Sequence, residues 1–281
     1  MKHSSETEDL IRCLKAEQPA LRWRAAARLA RAARLTQSVA LAALGEALGD
    51  EHPFVRWHAG VALSRRGGAQ GMALLYRALA EGSPLCQAAA ADALGQARKA
   101  ETGRLLQTLD SQSALVRQSA VEALPRRGQR DRRLASRLVA LLGDASPDVR
   151  RAAAGALARM GDGQVVGPLT ERLKDDSSLV RRSAAYALGA RRARSALTAL
   201  LNGLGDPEPS VRRNVAWALG RLRMRSALPQ LQQMLDDPDL DGDVASEAEQ
   251  AIVAISSGVW GLGRMFVRGL VFDHRRPPDP A

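Results

Sequence analysis

The chain has 281 residues, of which 46% are hydrophobic but only 3% aromatic; so small a supply of large rings excludes one thick globular core and implies many thin layers of Ala, Leu and Val. Lys and Arg outnumber Asp and Glu by 41 to 30, a formal net charge of +11, yet all the basic residues except Lys2, Lys15, Lys99 and Lys174 are arginine, a skew that GC-rich codon usage produces by itself. Two cysteines, Cys13 and Cys86, are too few for a disulfide framework or a metal cluster, and their apolar contexts read as buried, reduced thiols.

Taken in order, residues 7–15 read as a first helix with Leu10, Ile11 and Leu14 facing inward, and residues 20–34 as its partner. Further helices are expected near 37–48, 69–80, 101–109, 131–142, 164–174, 194–204 and 226–235, each paired with the helix that follows it. Asp110, Asp144, Asp175, Asp206 and Asp236 punctuate the turns within the pairs. The most irregular connection is 125–133, Pro-Arg-Arg-Gly-Gln-Arg-Asp-Arg-Arg, which suits a hinge or a contact loop. The N-terminus lacks the apolar segment of a signal peptide, and no run of about 18 apolar residues occurs, so the expected location is the cytoplasm.

The second helix of each pair follows one template. With Val211 at position 0, Asp206 stands at −5, Arg212 at +1, Val215 at +4, Ala218 at +7, Leu219 at +8 and Gly220 at +9. The same slots are filled around Val180, Val149, Val116 and Val55, and more weakly around Leu21, Cys86 and Val244. These anchors lie 30 to 34 residues apart, the period of a solenoid. Positions 0, +1, +4, +7 and +8 cover about a third of a helical wheel and form the buried stripe. Asp at −5 is expected to cap the helix start, and Gly at +9 to end it in a left-handed C-cap.

This pattern resembles the HEAT repeats of the bilin-lyase-like subgroup, over roughly residues 7–254. The resemblance implies an all-α, right-handed α-solenoid of about eight two-helix repeats. It also implies a ladder in which Asp144, Asp175 and Asp206 work with Arg150, Arg181 and Arg212 to join successive repeats. Gln87 and Ala245 replace the ladder arginine in the third and eighth copies, and the ladder is expected to be interrupted there.

Signals of catalysis are sparse. His3, His52, His58 and His274 include no His-Glu pair and no two at metal-ligand spacing, unlike the iron-binding pairs of the HEAT-like deoxyhypusine hydroxylase. No Gly-rich phosphate loop or nucleophile elbow is present, and nothing carries over the catalytic residues of HEAT-like alkylpurine DNA glycosylases. No cofactor is expected. The resemblance keeps a phycobilin lyase-like, chromophore-handling activity as an alternative to a noncatalytic scaffold or adaptor.

Two surfaces qualify as binding sites. Positions +2 and +6 lie opposite the buried stripe, on helices that line the concave face in this family. Of four Trp, two Tyr and three Phe, Trp23 and Trp57 fall at +2 and Tyr186 and Trp217 at +6. Arg182 and Arg213 occupy +2 in the repeats of Tyr186 and Trp217, with Asn214 beside them. Aromatic rings with arginine supply area, bidentate donors and cation–π contacts. Arg182, Tyr186, Arg213, Asn214 and Trp217 are therefore the expected recognition patch for an acidic or aromatic-bearing segment of a protein partner, with Trp57 and His58, and Trp23, as a second. The other surface is a basic rim of loop arginines, above all Arg126, Arg127, Arg130, Arg132 and Arg133. A phosphate track for nucleic acid is one reading; complementing helix C-terminal dipoles, at about 0.3–1 kcal/mol each, is the other.

After residue 254 the pattern stops, and 255–281 form a distinct tail. If 258–272 are helical, Val259, Leu262, Phe266 and Leu270 share one face and Arg264 and Arg268 another. Such an amphipathic segment is expected to cap the last repeat over Val244, Ala248 and Ile252, with partner binding or contact with a membrane surface as alternatives.

Overall fold

A computed structural model describes residues 2–31, 38–97, 102–124, 132–160 and 163–257, which contain helices and turns and no strand. It divides into two compact units, Met1–Ala156 and Leu157–Ala281.

The first unit contains α1 (Lys2–Leu14), α2 (Pro19–Arg31), α3 (Ser38–Ala47), α4 (Pro53–Arg66), α5 (Gly68–Glu81), α6 (Pro84–Gln96), α7 (Thr102–Gln107), α8 (Ala114–Ala123), α9 (Arg132–Ala140) and α10 (Pro147–Leu157). Helices α1 and α2, α3 and α4, and α5 and α6 pack as pairs. Stacking runs through α2, α4, α6 and α8 in one layer and through α1, α3 and α5 in the other. The second unit repeats the scheme with α11 (Val166–Glu171), α12 (Ser178–Ala190), α13 (Leu197–Asn202), α14 (Pro209–Leu222), α15 (Leu228–Leu235) and α16 (Gly242–Ser256). There α12, α14 and α16 stack, and α11, α13 and α15 cover them pairwise.

The template residues make these layers. Val180, Ala184, Ala187 and Leu188 on α12, and Val211, Val215, Ala218 and Leu219 on α14, are buried; each buried Val or Leu contributes roughly 1.5–3 kcal/mol. The weak copies deviate: Leu21 is 40% exposed, and Cys86, like Cys13, is a half-buried free thiol rather than a fully buried one. The expected helices over 131–142, 164–174 and 194–204 are each an α-helix ending in a 3₁₀ turn, at Leu141–Gly143, Arg172–Lys174 and Gly203–Gly205. The tighter turn satisfies last-turn carbonyls just before the chain reverses at the aspartate.

Two local roles differ from the sequence reading. The glycine at +9 lies inside its helix and caps nothing: among the described residues those with positive φ are Gly68, Arg192 and Arg223, and it is Arg223 that ends α14 in the left-handed conformation. The glycine is needed for close approach. A Cβ on Gly95 would lie 2.8 Å from Ala123 Cα, one on Gly189 2.7 Å from Ala218 Cα, and one on Gly220 2.9 Å from Ala251 Cα. Glycine at +9 thus receives the alanine at +7 of the next repeat. Likewise the aspartate at −5 caps no helix directly. Asp144, Asp175 and Asp206 each accept the N–H two residues on, from Ser146, Ser177 and Glu208, which fixes the turn ahead of the helix. Direct N-capping is seen at Ser83 on α6 and Asp241 on α16.

Helix α16 continues to Ser256 and buries Val244, Ala248, Ala251 and Ile255. Ile252 is half-buried and Val253 is 44% exposed, so the buried face runs through 251 and 255 rather than 252. The tail 258–281 lies outside the described residues.

Candidate interaction face

Each ladder arginine is held in a fixed pose. Arg181 donates through Nη1 to the carbonyls of Asp175 and Asp176 at 3.0 and 3.1 Å. Its Nε and Nη2 then grip both oxygens of Asp206, in the next repeat, at 2.7 and 2.9 Å. Arg117 does the same with Asp144 at 2.8 and 2.7 Å, and Arg22 with Asp50 at 2.7 and 3.1 Å. Burial pushes the Asp144 and Asp206 carboxyls up, but hydrogen bonds from Arg117 and Arg181 and from backbone N–H groups outweigh it and hold both below the usual carboxylate range. Bidentate pairs of this kind fix register between repeats. The ladder is interrupted around the third and eighth copies, as expected, but the missing half includes the carboxylate: among the described residues Arg56 and Arg212 donate to backbone carbonyls through Nη1 and pair with no acid.

On this frame Trp57 at +2 and Tyr186 at +6 are exposed, whereas Ala27 and Val61, at +6 in the first two copies, are buried. Tyr186 on α12 and Trp217 on α14 occupy the same register in adjacent helices, and their rings stack with centroids 5.0 Å apart at 15°, an offset geometry favourable for aromatic pairs. The close approach at Gly189 makes this possible, since a Cβ there would also lie 2.7 Å from Trp217 Cζ3. Tyr186 is 46% exposed and Trp217 half-buried. Arg221, one turn beyond Trp217, places its guanidinium 5.8 Å from the ring centroid, a cation–π contact.

The remaining predicted members are placed unequally. Arg182 is half-buried, and among the described residues it pairs with no acid. Arg213 is exposed but faces Asp243 at 3.4 Å and stands beside Glu247, whose carboxyl burial raises against the opposing pull of Arg213. Asn214 donates one amide N–H to the carbonyl of Ser210 at 3.0 Å, leaving its second N–H and its amide oxygen for a ligand. The sequence reading missed Arg221, for which the i, i+4 spacing from Trp217 was a usable signal. It also missed Asp243 and Glu247, for which no local signal existed.

The second cluster, in the first unit, is more compact than the sequence suggested. His58 stacks on Trp23, with centroids 6.0 Å apart at 18°, and meets the edge of Trp57 at 4.6 Å, so α2 and α4 contribute to one aromatic group. Burial, then the charge of Arg31, lowers the His58 pKa and favours the neutral ring. Trp57 is 48% exposed, and Arg24 lies 5.8 Å from the Trp23 centroid.

Of the basic rim, Arg126, Arg127 and Arg130 lie outside the described residues, as does the side chain of Arg132; Arg133 is exposed. Two other arginines at helix ends donate to the backbone. Arg66 donates to the Ala30 carbonyl at 3.4 Å, and Arg191 to those of Leu157 and Met160. Among the described residues no group of His, Cys, Asp and Glu could hold a metal ion, and no helix is long and apolar enough to cross a membrane.

The HEAT-repeat family matches the sequence over residues 7–95, 102–189 and 166–253. Among solved structures the chain is similar to YibA of E. coli, at 22% identity and a TM-score of 0.63, over 87% of this chain and 91% of that one. It is also similar to importin β, at 16% identity and a TM-score of 0.61 over 94% of this chain and 42% of that one. For Kap95p, solved with RanGDP, the values are 17% and 0.53, over 89% and 40%. No curated protein matches the sequence.

Proposed function

Because the chain belongs to the HEAT-repeat family, we propose that it is a noncatalytic interaction scaffold or adaptor of the cytoplasm, using the outward face of its second helices to hold a protein partner. The observation that carries this reading is the exposed Tyr186–Trp217 stack with Arg221 against it. A solvent-facing aromatic pair, fixed by helix packing and edged by arginine, offers large area at low entropy cost, which is the composition of binding hot spots. Kap95p, a protein of the same fold, binds RanGDP. For this chain the chemistry fits an acidic or aromatic-bearing segment: Arg182 and Arg221 supply the positive charge, since Arg213 already faces Asp243 and Glu247.

The test is partner recovery from native cytoplasm with the natural chain and with the double variant Trp217→Ala, Arg221→Ala. A folded double variant is expected to lose on the order of 2 kcal/mol in affinity, and undiminished recovery would remove the patch from the account. Repeating the capture at high salt separates protein from nucleic acid, whose binding collapses through counterion release.

The Asp–Arg ladder supports a second, finer reading, membership of the bilin-lyase-like HEAT subgroup with a chromophore-handling activity. Mixing the protein with a tetrapyrrole decides it: a shifted absorption band supports that reading, and an unchanged spectrum leaves the scaffold.

A further inference from the structure

The interrupted ladder leaves one arginine preset for a ligand. Arg56 is anchored like its sister arginines, with Nη1 on the carbonyls of Asp50 and Glu51 at 2.7 and 2.8 Å. In Arg22, Arg117 and Arg181 that same anchoring presents Nε and Nη2 to a carboxylate. At Arg56 no described residue fills the place. The cause lies in the next turn, which is one residue shorter. Helix α5 runs through Glu81, so the extended residue after the helix is Gly82, with φ −72° and ψ 165°, where the seventh copy has Asp206 with φ −61° and ψ 138°. A side chain cannot be put there, because a Cβ on Gly82 would run into the Ala78 carbonyl oxygen and lie 2.7 Å from Cys86 Cβ. Glu81 itself, at −5, is the last helical residue and is exposed.

Arg56 also lines a groove of about 240 Å³ in the first unit, with Trp57, Leu85 and Leu115 on its walls. These three are 48%, 37% and 40% exposed, an apolar surface beside a guanidinium fork. Asp92 and Glu122 also line the groove, and their negative charge opposes a dianion such as a phosphate more than a single carboxylate. Arg212, the other ladder arginine without an acid, lines a groove in which none of the large hydrophobic side chains is exposed, so it lacks the apolar wall that Trp57, Leu85 and Leu115 give Arg56.

We propose that Arg56 is a receptor for a carboxylate of a partner protein: an Asp or Glu side chain in a short apolar segment completes the missing rung, while its neighbours cover Trp57, Leu85 and Leu115. This site is separate from the Tyr186–Trp217 face and stands whether or not that face binds a partner. Recognition combines a bidentate, charge-assisted pair with burial of apolar area, and the guanidinium loses no further freedom because Nη1 already holds it.

The experiment is a titration of the full chain, followed by NMR at the arginine Nε–H groups. Its probe is an N-acetylated, C-amidated peptide with one aspartate flanked by leucines. The Arg56 signal is expected to shift and saturate, while that of Arg117, whose fork is occupied, stays in place. The asparagine analogue is expected to bind at least about tenfold more weakly, and so is the aspartate peptide to Arg56→Gln or Arg56→Lys. Equal binding of the two peptides overturns the proposal, as do natural affinity in a folded Arg56→Gln chain and absence of any shift at millimolar peptide. Should Arg56→Gln not fold, the comparison of the two peptides on the natural chain decides alone.

Discussion

Replacing Gly189 by alanine tests the packing rule on which the outward face depends. Alanine is about 1 kcal/mol better than glycine inside a helix, so from α12 alone the variant would be more stable. Its Cβ, however, would stand 2.7 Å from Ala218 Cα, 2.8 Å from Ala218 Cβ and 2.7 Å from Trp217 Cζ3. Carbon atoms rest at about 3.5–4.0 Å, so α14 must withdraw by nearly an ångström, and Ala218 cannot yield because the close atom is its backbone. Overpacking of this size costs about 1–3 kcal/mol, and the rigid neighbour puts it in the upper half, for a net loss of about 1–2 kcal/mol. Gly155 in α10 is the matched control. A Cβ there meets nothing within 4 Å, so Gly155→Ala is expected to gain up to about 1 kcal/mol. Urea denaturation followed by far-UV circular dichroism compares the two midpoints, which should move in opposite directions. Equal stabilisation by both substitutions would refute the claim that glycine at +9 exists to admit the alanine of the next repeat.

The ladder makes its own predictions. Asp206→Asn leaves Arg181 without its acid and is expected to cost about 3 kcal/mol in denaturant unfolding, as removal of one partner from a buried pair does; Arg212→Gln, which breaks no ion pair among the described residues, is expected to cost clearly less. Asp144 and Asp206 titrate lower when folded than when unfolded, so their stabilisation is complete above the unfolded value of about 3.9 and is lost as pH falls through the folded values. A stability profile taken across that acid range should therefore fall, and fall less steeply in Asp206→Asn. Glu247 has the opposite sign: its folded pKa is raised, so ionisation costs stability above its unfolded value, and Glu247→Gln is expected to raise the neutral-pH melting temperature.

How far the sequence could be read depends on whether a residue's role is set within its own repeat. The stripe Val180, Ala184, Ala187 and Leu188 was legible because helical periodicity alone buries it, and the Arg181–Asp206 rung because the resemblance to HEAT repeats implies a ladder between residues at those offsets. Gly189 and Asp206 were assigned wrong local roles for one reason. Each sits near a helix end, where glycine and aspartate ordinarily cap, but their real partners are Ala218 and Arg181 in a neighbouring repeat. That Tyr186 and Trp217 share one patch followed from the common +6 register, but their stacking did not, and the facing of Arg213 by Asp243 and Glu247 depends on α16, the least regular copy. The vacancy at Arg56 was half visible: Gln87 marked the third copy as irregular, but the shortened turn at Gly82 emerges only from where α5 ends.

The central claim is that the face around Tyr186 and Trp217 holds a protein. The most direct measurement places a photo-crosslinking amino acid at position 186 and, as a control, at the exposed Gln232 of α15, with irradiation in native cytoplasm. The account predicts a discrete protein adduct from position 186 that is lost when Trp217→Ala is added, and none from position 232. No adduct from 186, the same adducts from both positions, or an adduct indifferent to Trp217→Ala would contradict it.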